Sequence, residues 1–244
     1  MPRKPAKQLQ RFMFDDPTIL EVGIDEAGRG PLFGRVYAAA VVLPKDDDET
    51  VFPHGLMKDS KKFTSRKKLE EAANIIMEKS IAYSVKYAEN TEIDMLNPLK
   101  ATMKIMNDCV SEILENISVK MSDEENNYNC HLLVDGSYFR SRARIDANGR
   151  TTTVPYTCVT SGDDTFTAIA AASILAKHHR DAYIDEMCDN NEGLDELYDL
   201  RKNKGYGTAK HLAAIKQYGI TKWHRKTFGI CKSANIIEIE IMDD

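Results

Sequence analysis

An α/β fold, a mixed β-sheet flanked by helices with a further helical segment toward the C-terminus, is predicted by three features of this sequence. Short apolar segments ending on an acid or a glycine have the length of strands. Longer segments repeat apolar residues every three to four positions, as helices do. After an initial pair of strands the two kinds alternate, which is the order of an α/β domain whose sheet carries an antiparallel hairpin at its start.

The elements follow in chain order. Residues 1–17 read as a polar, Pro-containing arm. Residues 19–24 form a short buried strand ending at Gly23-Ile24-Asp25, and after a Gly/Pro-rich turn residues 35–43 form a second strand able to pair with it. Thr64-Ser65 opens a helix that carries Leu69, Ala72, Ala73, Ile76 and Met77 at helical spacing up to Lys79. Residues 81–88 alternate as a strand, with Ile81, Tyr83, Val85 and Tyr87 in one phase. Asn97-Pro98 opens a second helix that runs past Ile117. A polar loop follows at 121–130, then a strand at 131–136 ending on Asp135-Gly136, and a further strand at 153–159. A long helix with a small-residue face (Ala168, Ala171, Ala172, Ala176) spans 165–187. One more helix covers 208–217, stopped near Gly219, and the tail predicts a short strand at 236–241.

Composition narrows the function classes. The 244 residues are 42% hydrophobic and 29% charged, values of an ordinary globular chain that can bury a core without staples. The apolar run 36–43 is too short to span a bilayer, and the basic N-terminus lacks the apolar centre of a signal peptide. Five scattered cysteines without Cys-x-x-Cys spacing argue against a disulfide framework and a zinc site. Together these predict a soluble, cytoplasmic protein without membrane contact. The net charge is −5, yet residues 201–232 hold nine Lys or Arg and no acid, and residues 58–68 hold six cations against Asp59 alone. Such segregation permits a basic, nucleic-acid-binding face on an acidic protein.

Acids at strand ends carry the chemistry. Asp25-Glu26 follows one strand, Asp135 another, and Asp163-Asp164 precedes the long helix. Any one of them can be a cap or a turn residue. Several ionised carboxylates converging at the edge of a core repel one another unless a cation neutralises them, and all-oxygen ligands without His or Cys favour Mg²⁺ or Mn²⁺. Two such ions about 3.5–4 Å apart are a standard arrangement for phosphodiester cleavage. Gly28-Arg29-Gly30 follows directly. Its spacing fits neither a dinucleotide loop nor a P-loop, and two preceding acids would repel a pyrophosphate. Paired glycines do let a backbone approach a ligand closely.

The run GIDEAGRGPLFG at 23–34 resembles the signature of the ribonuclease HII family, the type 2 ribonucleases H. KDSKKFT (58–64), LVDG (133–136), GDDTFTAIAAASILAK (162–177), RD (180–181), KGYGTAKH (204–211) and HRKTFG (224–229) follow in the family's order, so the resemblance spans about residues 19–230. It implies a ribonuclease H-like sheet in a catalytic domain over 18–200, preceded by the flexible arm 1–17. A basic helical substrate-binding segment over 201–232 and an acidic tail over 233–244 would follow. It assigns Asp25, Glu26, Asp135 and Asp163 as catalytic metal ligands; Asp163 is chosen over Asp164 by its distance from the IAAAS run. It assigns Gly28, Arg29 and Gly30 to the ribose 2′-hydroxyl and its phosphate, Tyr206 to stacking at the RNA–DNA junction, and Lys61 to phosphate. The implied activity is two-metal-ion hydrolysis of RNA in RNA/DNA hybrids and 5′ of single ribonucleotides in duplex DNA, leaving 3′-hydroxyl and 5′-phosphate ends, by a monomer. That activity belongs to ribonucleotide excision repair and DNA replication. Two readings compete: the sister type ribonuclease HIII, which typically has an extra N-terminal domain and Lys in the Gly-x-Gly, and an inactive binding module on the same fold. The chain departs from the family's usual residues at Arg35 (Pro), Ser161 (Lys) and Thr227 (Ser), and in the stretch DELYDLRKN before Lys204.

Overall fold

In the computed structural model, which describes residues 8–63, 65–120, 129–145 and 149–238, the apolar segments pair into one central sheet. Its strands are β1 (Ile19–Ala27), β2 (Val36–Val42), β3 (Ala82–Ala88), β4 (Asn129–Asp135) and, after two short strands β5 (Arg144–Ile145) and β6 (Thr151–Thr152), β7 (Tyr156–Val159). The order is β3-β2-β1-β4-β7, while β5 and β6 pair separately and antiparallel. β4 runs parallel to both neighbours, with Ile24 opposite Val134 and Asp135 opposite Val159. The sheet is mixed and helices flank it, as the sequence predicts.

The helices are α1 (Arg66–Lys79), α2 (Asn90–Leu96), α3 (Pro98–Lys120), α4 (Thr167–Asp189), α5 (Leu194–Tyr198), α6 (Leu200–Asn203) and α7 (Ala209–Tyr218). Their starts follow capping chemistry. The Ser65 side chain accepts from Lys68 N, Asn97 Oδ1 from Lys100 N and Thr208 from His211 N. The first helical turns of α4 pack on every side, since Ala168 to Ala176 are all buried. Small residues there let β1 approach: a Cβ on Gly23 would lie 2.1 Å from the Ala168 carbonyl carbon. No helix among the described residues is long and apolar enough to cross a membrane.

The chain groups into two compact units. The first takes residues 1–26, 38–86 and 106–176, the second 27–37, 87–105 and 177–244. The expected basic segment 201–232 thus lies in a unit that also contains the Gly28-Arg29-Gly30 loop. In the first unit, the described part of the N-terminal arm is tied down. Gln10 pairs with Phe166, its N–H donating to Thr165 O at 2.8 Å while Thr167 N donates to Gln10 O at 2.9 Å. Buried Glu21 accepts from Met13 N and Phe14 N and pairs with Lys45 at 3.3 Å.

Two expectations need correction. β3 alternates, but in the opposite phase: Ala82, Ser84 and Ala88 are buried, while Tyr83 and Tyr87 are exposed. The strand lies at the sheet edge, and the Tyr87 ring covers the Arg35 guanidinium at 4.0 Å. The strand expected over 153–159 is confined to Tyr156–Val159, and Thr151–Thr152 before it pair with β5. Of the expected tail strand, the described residues 236–238 make one bridge, Ile220 with Ile236, and residues 239–241 lie outside the described residues. α2, α5 and α6 are additions; each has four to seven residues, too few for a repeat of apolar positions to show.

Candidate active site

The first unit gathers the acids. β1 extends beyond the expected strand, through Asp25 and Glu26; the buried run Leu20 to Asp25 ends there, and Glu26 is half-buried. Asp135 ends the neighbouring β4, and Asp163 sits in a 3₁₀ turn that leads into α4. The turn is anchored to the strand, since Gly162 N donates to Asp135 Oδ1 at 2.7 Å. Ser161 enters it in the left-handed region at φ 54°.

Electrostatics shows how costly this gathering is. The Asp25 carboxyl is pushed well above its usual range by burial first, then by the charges of Glu26 and Asp135; bonds from Ser173 and from Glu26 N (2.7 Å) oppose the rise. Ser173 is itself buried and its hydroxyl lies 2.9 Å from Ser60 Oγ. Asp163 is likewise raised by burial, then by Asp135 and Asp59, with Lys61 opposing. Lys61 Nζ stands 3.6 Å from Asp163; burial works against its charge, and the carboxylates of Asp163, Asp59 and Asp25 outweigh it, holding the ammonium up. Lys62 pairs with Asp164.

Among the described residues no three Asp, Glu, His or Cys side chains are already closed round one point at metal-ligating distance. The acids form an open cluster whose members disfavour each other's charge. That cost is what a bound divalent cation relieves, and an all-oxygen set suits Mg²⁺ or Mn²⁺, whose remaining positions water can fill. The residues therefore fit such an ion.

The second unit carries the glycine loop, covalently continuous with the acids through the Glu26–Ala27 peptide. Gly28 has φ +92°, and a Cβ there would lie 2.1 Å from Arg180 Nε and 3.0 Å from Arg35 O. The loop is held from behind by Arg225, which is fully buried and donates to the carbonyls of Gly28 (2.6 Å), Arg29 (2.9 Å), Gly34 (2.9 Å) and Arg35 (3.0 Å). Leu32 bonds on both sides, its N–H to Gly205 O and its carbonyl to Arg225 N, each 2.8 Å. Tyr206, about half exposed, lies beside the loop: a Cβ on Gly30 would be 3.8 Å from its Cε1, and Arg180 Cζ is 5.6 Å from its ring centroid. The structure thus places Tyr206 near Gly30 and near Arg180, the side chain packed against Gly28. Arg29 is exposed at the loop tip.

Arg180 and Arg225 received no individual role from the sequence, although both fall in the matching blocks. Burial lowers both guanidiniums, Arg225 to about 9 with Arg180's charge as the second cause. Their hydrogen bonds go to backbone carbonyls, Arg180 to Lys204 O at 2.5 Å, and Arg180 Nε has no partner among the described residues. Two buried cations behind one loop favour an anion in front of it.

In the basic run 201–232 several cations are already paired or buried. Arg201 pairs with Asp189 (2.6 Å), Lys204 with Asp185 (2.8 Å) and Lys210 with Asp199 (2.8 Å), and Arg225 is buried. The acids preceding the run fold back onto it, which a local charge count does not register. Arg35 is pinned by its own contacts. It pairs with Glu89 at 2.7 Å and lies between the Tyr87 and Tyr183 rings, at 4.0 and 4.4 Å from their centroids.

The family model for ribonuclease HII matches residues 22–231. The chain is 39% identical over 212 residues to the ribonuclease HII of Bacteroides thetaiotaomicron, covering 87% of this chain and 90% of that one. It is 37% identical to that of Phocaeicola vulgatus, covering 91% and 94%. Among solved structures, ribonuclease H2 from Pyrococcus horikoshii shares the fold with a TM-score of 0.56 at 22% identity over 87% of this chain and 95% of that one. A Bst-RNase HIII solved in complex with Mn²⁺ shares it at 0.54 and 17% identity, over 89% of this chain and 66% of that one. Carrying a hydrolase of the ribonuclease H type on this sheet, the chain belongs to the ribonuclease HII family.

Proposed function

We propose that this nuclease hydrolyses the RNA strand of RNA/DNA hybrids and incises duplex DNA on the 5′ side of a single ribonucleotide. The products would carry 3′-hydroxyl and 5′-phosphate ends. The observation that supports this best is the succession of two features along six residues of chain: Asp25 and Glu26 in the acidic cluster, and the Arg225-braced Gly28-Arg29-Gly30 loop beside Tyr206.

Asp25, Glu26, Asp135 and Asp163 would hold two Mg²⁺ or Mn²⁺ ions, which supply a nucleophilic hydroxide and stabilise charge on the phosphorus and the leaving oxygen. The chain's own groups do the rest. Ser173, backed by Ser60, orients the Asp25 carboxylate. Gly162 N fixes Asp135, and Asp59 and Lys61 set the Asp163 carboxyl. The close-approach backbone at Gly28–Gly30 would bond the 2′-hydroxyl, the group that distinguishes RNA from DNA. The Tyr206 ring offers a stacking face at the junction. The charge of buried Arg180 and Arg225 favours phosphate there, while Arg29 and Lys61 would contact the backbone on the surface. The enzyme is proposed to act as a monomer.

The test is cleavage of matched duplexes carrying zero, one or four ribonucleotides, with Mg²⁺, Mn²⁺ or chelator. Metal-dependent cutting of the second and third alone is expected. Cleavage of the all-DNA duplex, or of the four-ribonucleotide duplex only, would overturn the single-ribonucleotide reading.

A further inference from the structure

Behind Tyr206 lies a chain of hydrogen bonds that the proposed chemistry does not use. The Thr221 N–H donates to His224 Nδ1 at 3.0 Å, with the Thr221 hydroxyl 2.9 Å from the same nitrogen. A backbone N–H can only donate, so Nδ1 bears no hydrogen and neutral His224 carries its proton on Nε2. That nitrogen is 3.1 Å from His211 Nε2, which must therefore accept. His211 then carries its proton on Nδ1, 3.0 Å from the Tyr206 carbonyl oxygen, and donates there. Both rings are fully buried and both meet the Tyr198 ring edge-on. Burial lowers both imidazoles, which keeps each neutral, as the chain requires.

The relay ends next to the loop brace. His224 is followed by Arg225, whose guanidinium holds the loop carbonyls, and His224 forms an antiparallel bridge with Phe33 inside that loop. One dipeptide therefore bonds in two directions, toward the Tyr206 main chain and toward Gly28–Gly30.

We infer that His211 and His224 are positioning residues, a hydrogen-bond relay of fixed polarity that sets Tyr206 in register with the glycine loop. Neither touches substrate; each acts through Tyr206. The inference rests on the reading of Tyr206 as a ribose-junction contact.

Two measurements test it. Long-range ¹H–¹⁵N NMR of the wild-type protein at neutral pH should show His224 as the Nε2–H tautomer and His211 as the Nδ1–H tautomer. The opposite tautomer at either ring, or a charged ring, overturns the relay whatever the enzyme cuts. The second is a double-mutant cycle on nicking of a single-ribonucleotide duplex. His211→Phe should lower kcat/KM about tenfold, the equivalent of one ordinary hydrogen bond. In a Tyr206→Ala background the same change should cost less than twofold. His211→Asn, whose amide can still donate to the Tyr206 carbonyl, should recover most of the loss and stands in if the Phe variant fails to fold. Equal losses in both backgrounds, or no rescue by Asn, would contradict the inference. If the wild-type enzyme nicked no such duplex, the proposed function would fall while the tautomers still decided the relay.

Discussion

Alanine at Gly28 and at Gly136 should have unequal costs although both glycines occupy the left-handed half of backbone space, at φ +92° and +97°. Each substitution brings the strain of a Cβ at positive φ, about 1–2 kcal/mol. At Gly136 nothing lies within 4 Å of the new methyl, so the strain is the whole effect. At Gly28 the methyl would lie 2.1 Å from Arg180 Nε and 2.4 Å from its Cδ. These atoms are in the middle of a side chain that is 3% exposed, not at a free end, so Arg180 has to leave its seat. Leaving it breaks the bond to Lys204 O, a charged hydrogen bond that contributes about 1.5–3 kcal/mol. The totals are about 2.5–5 kcal/mol for Gly28→Ala and about 1–2 kcal/mol for Gly136→Ala. Urea unfolding with unchanged slope gives both numbers. Equal losses would refute the claim that Arg180 is wedged behind the loop.

Three further outcomes follow from the geometry. Gly30→Ala, whose methyl would be 3.8 Å from Tyr206 Cε1 with no positive φ, should change unfolding stability by no more than about 0.5 kcal/mol yet raise KM for a ribonucleotide-containing duplex; unchanged KM would remove Gly30 from the ribose contact. Asp25 and Asp163 have raised carboxyl pKa values, so their contribution to stability is present below the ordinary carboxylate range and lost as pH rises through the raised values. Mg²⁺ should therefore raise Tm more at pH 8 than at pH 5, and metal-free Asp25→Asn should be more stable than wild type at pH 8 by about 1 kcal/mol or more; a pH-independent shift would contradict the electrostatic account. His224 has the opposite sign: burial, then His211, holds its pKa near about 3, so its contribution is present above about 6.5 and lost as pH falls toward 3. Each unit of acidification in that window costs about 1.4 kcal/mol for the proton taken up on unfolding, and His224→Gln should flatten the slope between pH 6 and 4 in chemical denaturation.

What was legible in the sequence was whatever depends on local repetition or on a rare word. α1, α3 and α4 were visible because their apolar residues recur over 14 or more positions, and β1 and β4 because in each a short apolar run leads into an acid. The four acids and Tyr206 were singled out from the matching blocks, and the structure places Asp135 in the electrostatic field of both Asp25 and Asp163. What escaped depends on partners distant in sequence. Arg225 is nearly 200 residues from the carbonyls it holds, so it looked like one more cation in a basic run. The pairing of Lys204 with Asp185 and of Lys210 with Asp199 turned an apparent cationic face into a partly neutralised one. The phase of β3 was misread because a tyrosine can prefer a cation to the core, as Tyr87 does over Arg35.

The proposed cleavage beside a ribose by the acidic cluster is tested most directly by end-mapping on a duplex with one ribonucleotide, using wild type and Asp135→Asn. The wild-type enzyme with Mg²⁺ or Mn²⁺ should leave one nick on the 5′ side of the ribonucleotide, ending in 3′-hydroxyl and 5′-phosphate. The variant should bind the same duplex with affinity changed by less than about threefold, since the phosphate contacts remain, and lose turnover by about 10³-fold or more. A nick elsewhere, cleavage that survives chelation, or an active Asp135→Asn enzyme would contradict the account.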